Sequence, residues 1–232
     1  MRGKLKELWH RHLDRKPWIF RDQFGLAYLF TAQDEVAGHY ERSAVIDNPS
    51  LLAWLQATVK PGETFVDLSP MIGGVTMLVA RQVAETGAVF AFAPDVNTYR
   101  QLVNNVALNQ LTKTVRVIGR PVLASSAVAD FLSLDRLATE WQMGTIDYLR
   151  LNEVSLLEAL SASVPGLLKA GRIHRLLLDG VDKAAVGPVA AKLRQSGFAV
   201  QFLSLEGKLQ TEAAALPEKV NLIATLAEGD HA

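Results

Sequence analysis

The sequence predicts an α/β protein in which a mostly parallel β-sheet of about seven strands carries helices on both faces. From residue 64 onward, short continuous apolar runs alternate with segments whose apolar residues have helical spacing. Continuous apolar runs are typical of strands that are buried on both faces of a parallel sheet. Parallel neighbours need long crossover connections, and the intervening segments are long enough to be crossover helices.

The predicted elements follow one another in a regular order. A turn and a short strand are expected at 24–30, and a helix starts at Asn48-Pro49-Ser50 and ends before Pro61-Gly62. The strands of the sheet are expected at 64–68, 88–92, 115–118, 146–151, 173–178, 198–203 and 220–225. The connecting helices are expected at 75–83, 94–108, 156–168 and 184–195, and residues 207–218 are expected to form a loop.

Residues 1–60 are expected to form an N-terminal cap of helix and strand, and residues 61–232 the α/β domain, because no change of composition marks another boundary. The first 21 residues carry a formal charge of +5, so the rest of the chain carries −5. Leu5, Trp9 and Leu13 are spaced four apart, which predicts a helix with a basic opposite face. This helix either packs on the body of the protein or contacts an acidic membrane surface or a protein partner.

Composition excludes several classes of protein. Hydrophobic residues make up 49% and charged residues 21% of the chain, which is the balance of a soluble globular protein. The formal net charge is zero, so the sequence predicts no nucleic-acid partner. No cysteine is present, which excludes disulfides, thiolate zinc sites and a cysteine nucleophile. No apolar run reaches the ~18 residues of a transmembrane helix, and the charged N-terminus lacks the apolar core of a signal peptide, so a cytoplasmic protein is expected.

Metal sites and serine hydrolysis find no support in the sequence. The five histidines show no metal-ligand spacing with acidic residues, and His174 is expected within a strand. Neither a G-x-S-x-G elbow nor a P-loop is present. Asp179 follows the fifth strand, where an acid often faces a cleft, but Gly180 beside it fits an ordinary loop equally well.

The loop after the first strand of the sheet is the main candidate for a ligand site. Open α/β sheets bind ligands beyond the carboxyl ends of their strands. Here Asp67 ends the strand, and Gly73 and Gly74 open the next helix. An acid followed by a glycine turn at a helix N-terminus suits a ligand that carries a nucleotide.

Several segments occur in the order and spacing of one known family. Residues 63–67 (E-T-F-V-D) match its first strand, Ile72-Gly73 the end of its D-x-G-A-N-x-G loop, and 91–95 (A-F-A-P-D) its A-F-E-P-D turn. Tyr99, Leu102, Asn105, Leu108 and Asn109 match the following helix, 134–137 (L-D-R-L) its T-L-D-D-L segment, and 146–151 a later strand. From about residue 20 to 203, the chain therefore resembles the FkbM-type S-adenosylmethionine-dependent methyltransferases.

The resemblance implies a Rossmann-like, seven-stranded methyltransferase fold with an N-terminal cap. It also implies S-adenosylmethionine as cofactor and O-methyl transfer to a hydroxyl of a small molecule or glycan. The positions that match the cofactor site are Asp67, Ser69, Met71, Gly73, Ala93, Asp95 and Asn152. No residue is assigned as catalytic.

The sequence departs from the family at the cofactor site itself. Ser69-Pro70-Met71 replaces Gly-Ala-Asn, which adds a Cβ, removes an N–H and removes an amide side chain. Ala93 stands where the family has the glutamate expected to hold the ribose hydroxyls. Asp95 either compensates for this loss or caps the next helix. Asn152 replaces an aspartate of the D-V-E-G segment and cannot act as a base.

Two functions therefore stay open. The first is an active FkbM-like methyltransferase with altered cofactor contacts, in which catalysis rests largely on positioning the methyl group. The second is a protein that keeps the fold without catalysis and acts as a binding or scaffolding module for a protein partner. Changes concentrated in the site, beside a well-kept core pattern, favour the second function.

Overall fold

The computed structural model describes residues 17–30, 49–119, 134–152, 165–204, 207–211 and 217–227. The strands are β1 (Trp18–Arg21), β2 (Ala27–Phe30), β3 (Thr64–Asp67), β4 (Ala88–Phe92), β5 (Val115–Ile118), β6 (Ile146–Leu151), β7 (Ile173–Asp182), β8 (Phe198–Leu203), β9 (Leu209–Gln210) and β10 (Lys219–Leu226). The α-helices are α1 (Pro49–Thr58), α2 (Gly74–Val83), α3 (Val96–Leu108), α4 (Leu134–Glu140), α5 (Pro165–Lys169) and α6 (Lys183–Gln195). A 3₁₀ turn, Ala84–Thr86, follows α2.

An eight-stranded mixed sheet forms the centre of the protein, in the order β5-β4-β3-β6-β7-β10-β8-β9. The five strands from β5 to β7 are parallel. At the other side, β10 lies antiparallel between β7 and β8, and β9 pairs with β8. Along the chain, the sheet is built outward from β3 through β4 to β5, and β6 is then placed on the other side of β3. This change of direction brings the carboxyl ends of β3, β4 and β6 together at one edge of the sheet.

The central strands are buried on both faces. Neighbouring residues of one strand belong to different apolar clusters: Phe65 lies in the cluster that includes residues of α1, α2 and α3, and Val66 in the cluster that includes residues of α4, α5 and α6. Tyr148 and Leu149 of β6 likewise belong to different clusters, Tyr148 to that of Phe65 and Leu149 to that of Val66. This alternation explains why these strands are continuous apolar runs in the sequence.

The hairpin of β1 and β2 packs beside α2 and α3. Asn105 of α3 and Asn109, the C-cap of that helix, bond to the backbone of β2: their side-chain oxygens accept from the N–H groups of Leu29 (2.8 Å) and Ala27 (2.9 Å). Asn105 is fully buried and also donates to the carbonyl of Ile72 at 2.9 Å. One side chain thus joins the hairpin to the loop after β3.

The predicted architecture is confirmed as a mostly parallel α/β sheet with helices on both faces. The number of strands differs, because the two-residue strand β9 lies inside the segment 207–218 that was expected to be a loop. Such a short strand leaves no alternating pattern in the sequence.

The basic helix expected around Leu5–Leu13 and most of the helix expected at 156–168 lie outside the described residues, and the division at residue 60 stays a prediction. Among the described residues, no helix is long and apolar enough to cross a membrane.

Candidate functional site

The candidate site lies at the carboxyl ends of β3, β4 and β6. Asp67 is the last residue of β3, and the loop that follows leads to Gly73, the N-cap of α2. Met71 in this loop has a φ of +48° and is 44% exposed. The structure thus brings Asp67, Ser69, Met71 and Gly73 into one loop at the edge where the sequence places the ligand site.

Gly73 is required by backbone conformation and by packing. Its φ is +102°, in the left-handed region that glycine adopts at little cost. A Cβ added at Gly73 would lie 2.7 Å from Cδ1 of Leu102, which is fully buried in α3. The glycine therefore lets α3 approach the loop closely.

The carboxylate of Asp67 is fully buried and bonded to groups of the protein itself. Its Oδ2 accepts from the hydroxyl of Thr76 at 2.7 Å, and its Oδ1 accepts from the backbone N–H of Ser69 at 3.1 Å. Nη1 of Arg150 lies 3.2 Å from Oδ1 and 3.3 Å from Oδ2. Asp67 is thus a structural anion in this arrangement, with no surface open to a ligand.

Arg150 joins three strands at the same edge. Its guanidinium donates to Asp67, to the carbonyl of Ser69 at 2.9 Å and to Oδ2 of Asp179 at 2.8 Å. These residues belong to β3, the loop after it, β6 and β7. The side chain of Arg150 is 2% exposed, and those of Asp67 and Asp179 are 0% and 13% exposed. We call Asp67, Arg150 and Asp179 the buried triad, and its formal charge is −1.

The structure brings Ser69 and Asn152 together, but the contact uses the backbone N–H of Asn152 and not its side chain. The N–H of Asn152 donates to Oγ of Ser69 at 3.1 Å. Together with the bond from Leu68 N–H to the carbonyl of Arg150 (2.9 Å), this contact fastens the loop after β3 to the end of β6. The neighbouring Glu153 and Ser155 lie outside the described residues.

The turn after β4 contains the other two predicted positions. Ala93 is fully buried, and its N–H donates to the carbonyl of Ile118 at 2.8 Å. Asp95 is the N-cap of α3: its Oδ1 accepts from the N–H groups of Asn97 (2.9 Å) and Thr98 (3.0 Å). Its Oδ2 accepts from the hydroxyl of Thr98 at 2.6 Å. Of the two roles open for Asp95 in the sequence, the structure shows the cap.

These bonds predict a pH-dependent contribution of Asp95 to stability. The hydrogen bonds from the side chain and the N–H of Thr98 lower the pKa of Asp95 below its ordinary value of 3.8. The cap therefore stabilises the fold above about pH 3.8 and is lost as the pH falls through the lower, folded-state pKa. We expect Asp95→Ala to lower the free energy of unfolding by about 1 kcal/mol at neutral pH, with the difference from wild type shrinking in acid.

Urea unfolding of wild type and Asp95→Ala at several pH values checks this prediction. Asp95→Asn is the matched control, since asparagine caps helices as well as aspartate and does not titrate. A difference between wild type and Asp95→Ala that stays constant far below pH 3.8 would contradict a carboxylate cap.

An open cleft of about 390 Å³ lies beside this turn, at the ends of β4 and β5. It is lined by Pro94, Asp95, Val96, Tyr99, Ile118 and Gly119. A Cβ at Gly119 would lie 3.0 Å from the ring of Tyr99, so the glycine leaves room for that ring. Asp95 is the one charged residue in this lining, and the remaining walls are largely apolar.

Sequence reasoning missed Arg150 as a residue of the site. Asp179, which was expected to follow the fifth strand of the sheet, lies within β7 and belongs to the buried triad. One feature of the sequence could have indicated this role. Arg150 lies in the largely apolar strand β6, and the strands on either side of it, β3 and β7, carry Asp67 and Asp179. His174 lies in β7 as expected, 3.3 Å from Asp147 at the opposite end of the sheet. Within the described ranges, no three His, Cys, Asp or Glu side chains are placed to hold a metal ion.

No protein-family model and no curated protein match the sequence, but solved structures match its fold. The methyltransferase domain of METTL16 matches with a TM-score of 0.56 at 14% identity, over 96% of this chain and 90% of that domain. An S-adenosylmethionine-dependent O-methyltransferase from Thermotoga maritima matches with a TM-score of 0.54 at 15% identity, over 90% and 77%. A protein assigned as an rRNA methylase from Clostridium thermocellum matches at 0.55 and 17% identity, over 80% and 99%. The chain therefore has the fold of S-adenosylmethionine-dependent methyltransferases.

The described residues do not fit S-adenosylmethionine in the way the family resemblance implies. Ala93 offers no acceptor for a ribose diol and is itself fully buried. Asp67 is enclosed in the buried triad, and Asp95, two residues after Ala93, caps α3. Pro70 has no N–H to donate. Among the described residues, the methyltransferase fold is thus present with Asp67 enclosed and without a carboxylate at position 93 to hold a ribose.

Proposed function

We propose that this chain is a methyltransferase-fold protein that acts as a binding module and not as an S-adenosylmethionine-dependent enzyme. The observation that carries this proposal is the buried triad. Arg150 satisfies Asp67 and Asp179 from inside, so the ends of β3, β6 and β7 are held together without a ligand. A ligand that used Asp67 would have to break bonds to Thr76, Ser69 and Arg150 first.

The missing ribose contact supports the same proposal. A carboxylate that accepts from both hydroxyls of a ribose makes two charge-assisted hydrogen bonds, each contributing roughly 1.5–3 kcal/mol. Loss of both bonds weakens binding by about a hundredfold or more, at about 1.4 kcal/mol for each tenfold. Altered contacts elsewhere in the loop would have to replace this free energy for the cofactor to bind at cellular concentrations.

A second candidate is FkbM-like, S-adenosylmethionine-dependent O-methyl transfer to a small-molecule or glycan hydroxyl. The open cleft between the ends of β4 and β5 favours it, because this cleft lies beside the turn that corresponds to the family's A-F-E-P-D motif. In this case the acceptor is a small molecule or glycan, whereas the binding module has a protein partner. The expectation of no nucleic-acid partner rests on the net charge and stays a prediction.

Replacing Ala93 by glutamate distinguishes the two candidates. The binding-module proposal predicts that Ala93→Glu gains no affinity for S-adenosylmethionine, because the buried triad and Pro70 still leave the loop without free partners. The enzyme candidate predicts a gain of about a hundredfold or more from the restored carboxylate. Isothermal titration of the variant with S-adenosylmethionine measures this difference.

Ala93→Gln is the matched control, since it has the same size as glutamate and lacks the charge. Circular dichroism establishes that both variants fold despite the buried position of residue 93. A gain in Ala93→Glu that is absent in Ala93→Gln would overturn the binding-module proposal. Equal, undetectable binding by wild type and both folded variants would support it.

A further inference from the structure

Another open cleft, of about 370 Å³, lies between helix α6 and strand β8. It is lined by Lys183, Val186, Gly187, Ala190, Arg194, Phe202 and Thr211. None of these residues belongs to the loops after β3, β4 and β6 that form the candidate site. Binding at this cleft is therefore a separate property from the proposed function.

Helix α6 contributes one line of residues to the cleft. Lys183, Gly187, Ala190 and Arg194 have the spacing i, i+4, i+7 and i+11, which places them along one side of the helix. The two cations stand at the ends of this line, about 16 Å apart along the helix axis. Ala190 and Phe202 are buried and give the cleft an apolar floor.

Gly187 leaves the space between the two cations open. A Cβ placed at this position would meet no atom of the described residues within 4 Å outside its own stretch of helix, so packing does not require the glycine. Its φ is not positive, so the backbone does not require it either. Because glycine inside a helix is less favourable than alanine, the chain loses some stability at the point where a side chain would narrow the cleft.

The charges of Lys183 and Arg194 are not neutralised within the described part of the chain. Neither side chain makes a hydrogen bond or an ion pair there. Asp182, the acid next to Lys183, pairs with Lys219 at 2.7 Å. Helix α6 and the lining of the cleft contain no acidic residue. The cleft thus carries positive charge above an apolar floor, although the formal net charge of the chain is zero.

We propose that this cleft binds a small organic anion that has an apolar body and an anionic group at each end. Ligand pockets of roughly 300–1,000 Å³ combine apolar walls with a few polar groups that fix the orientation of the ligand. The apolar floor would cover the body of this ligand, and Lys183 and Arg194 would each bind one anionic group by charge-assisted hydrogen bonds. A ligand with a single anionic group would leave one of the two cations unmatched.

Titration with decanedioate, an apolar chain with a carboxylate at each end, tests the proposal, and decanoate is the probe with a single charge. We expect decanedioate to shift the amide NMR signals of α6 and β8 saturably, and to bind up to about fivefold more tightly than decanoate. Lys183→Met/Arg194→Met should weaken the binding of decanedioate about tenfold. The control Lys60→Met/Arg100→Met removes the same charge from exposed positions outside the cleft, and should retain the affinity of wild type.

Gly187→Leu tests the shape of the cleft separately from its charge. The added side chain enters open space, so the variant should fold and should unfold at a higher urea concentration than wild type. It should nevertheless bind decanedioate about tenfold more weakly, because leucine occupies the space of the ligand. A residue with a purely structural role would change the stability and leave the binding of decanedioate unaltered.

Three results would overturn the proposal. The first is the absence of saturable shifts in wild type at ~10 mM decanedioate. The second is equal affinity of wild type and Lys183→Met/Arg194→Met, with circular dichroism establishing that both are folded. The third is binding of a peptide with a glutamate at each end of four alanines, without binding of decanedioate, because the occupant would then be a segment of a protein.

Discussion

Replacing Arg150 by methionine is expected to lower the free energy of unfolding by about 3–5 kcal/mol. The substitution removes the cation shared by Asp67 and Asp179, whose side chains are 0% and 13% exposed. Removing one partner of a buried ion pair is costly because the remaining charge stays desolvated. The carbonyl of Ser69 also loses its donor, so the loop after β3 should loosen.

Urea unfolding followed by circular dichroism measures this loss. Arg136→Met is the matched control, because Arg136 pairs with Glu140 on the surface, with side chains 67% and 44% exposed. Exposed pairs contribute about 0–1 kcal/mol, so the control should stay close to wild type. A loss below about 1 kcal/mol in Arg150→Met would mean that water reaches the triad and that the strand ends are not sealed.

Replacing Gly73 by alanine is expected to cost about 2–4 kcal/mol, the second largest effect. One part is conformational, since a φ of +102° is unfavourable for a residue with a Cβ. The other part is steric, because the new Cβ would lie 2.7 Å from a methyl group of Leu102. Leu102 is fully buried, so its displacement disturbs the packing of α3.

Gly197→Ala separates the two parts of this cost. Gly197 also has a positive φ, +87°, but no atom lies within 4 Å of a Cβ placed there. It follows the C-terminal end of α6, and its substitution should cost about 1 kcal/mol. Equal losses in Gly73→Ala and Gly197→Ala, measured by thermal and urea unfolding, would show that Leu102 does not constrain the loop.

Local patterns in the sequence predicted most of the fold. Strands β3 to β8 are short apolar runs bounded by turn residues, and each lies within a few residues of its expected position. The cap at Asp95 was one of two roles that the sequence left open, because its bonds reach only two and three residues along the chain. Strand β1 was not predicted, since four residues that alternate between half-buried and exposed follow directly on a basic helical pattern.

The buried triad could not be predicted by the same reasoning. Arg150 is separated from Asp67 by 83 residues and from Asp179 by 29, and these contacts depend on the order of strands in the sheet. A single arginine at the end of a strand is more often exposed than buried. Only the pairing of β6 with β3 on one side and β7 on the other shows that the charge of Arg150 neutralises carboxylates within the fold.

Isothermal titration calorimetry of the wild-type protein with S-adenosylmethionine and, separately, with S-adenosylhomocysteine tests most directly whether the loop after β3 binds the cofactor. Circular dichroism first establishes that the sample is folded. We expect no binding heat at millimolar ligand, because Asp67 is enclosed in the buried triad, Asp95 caps α3, and Ala93 offers no acceptor. Micromolar affinity for either compound would contradict it, and would mean that the altered loop forms a cofactor site by other contacts.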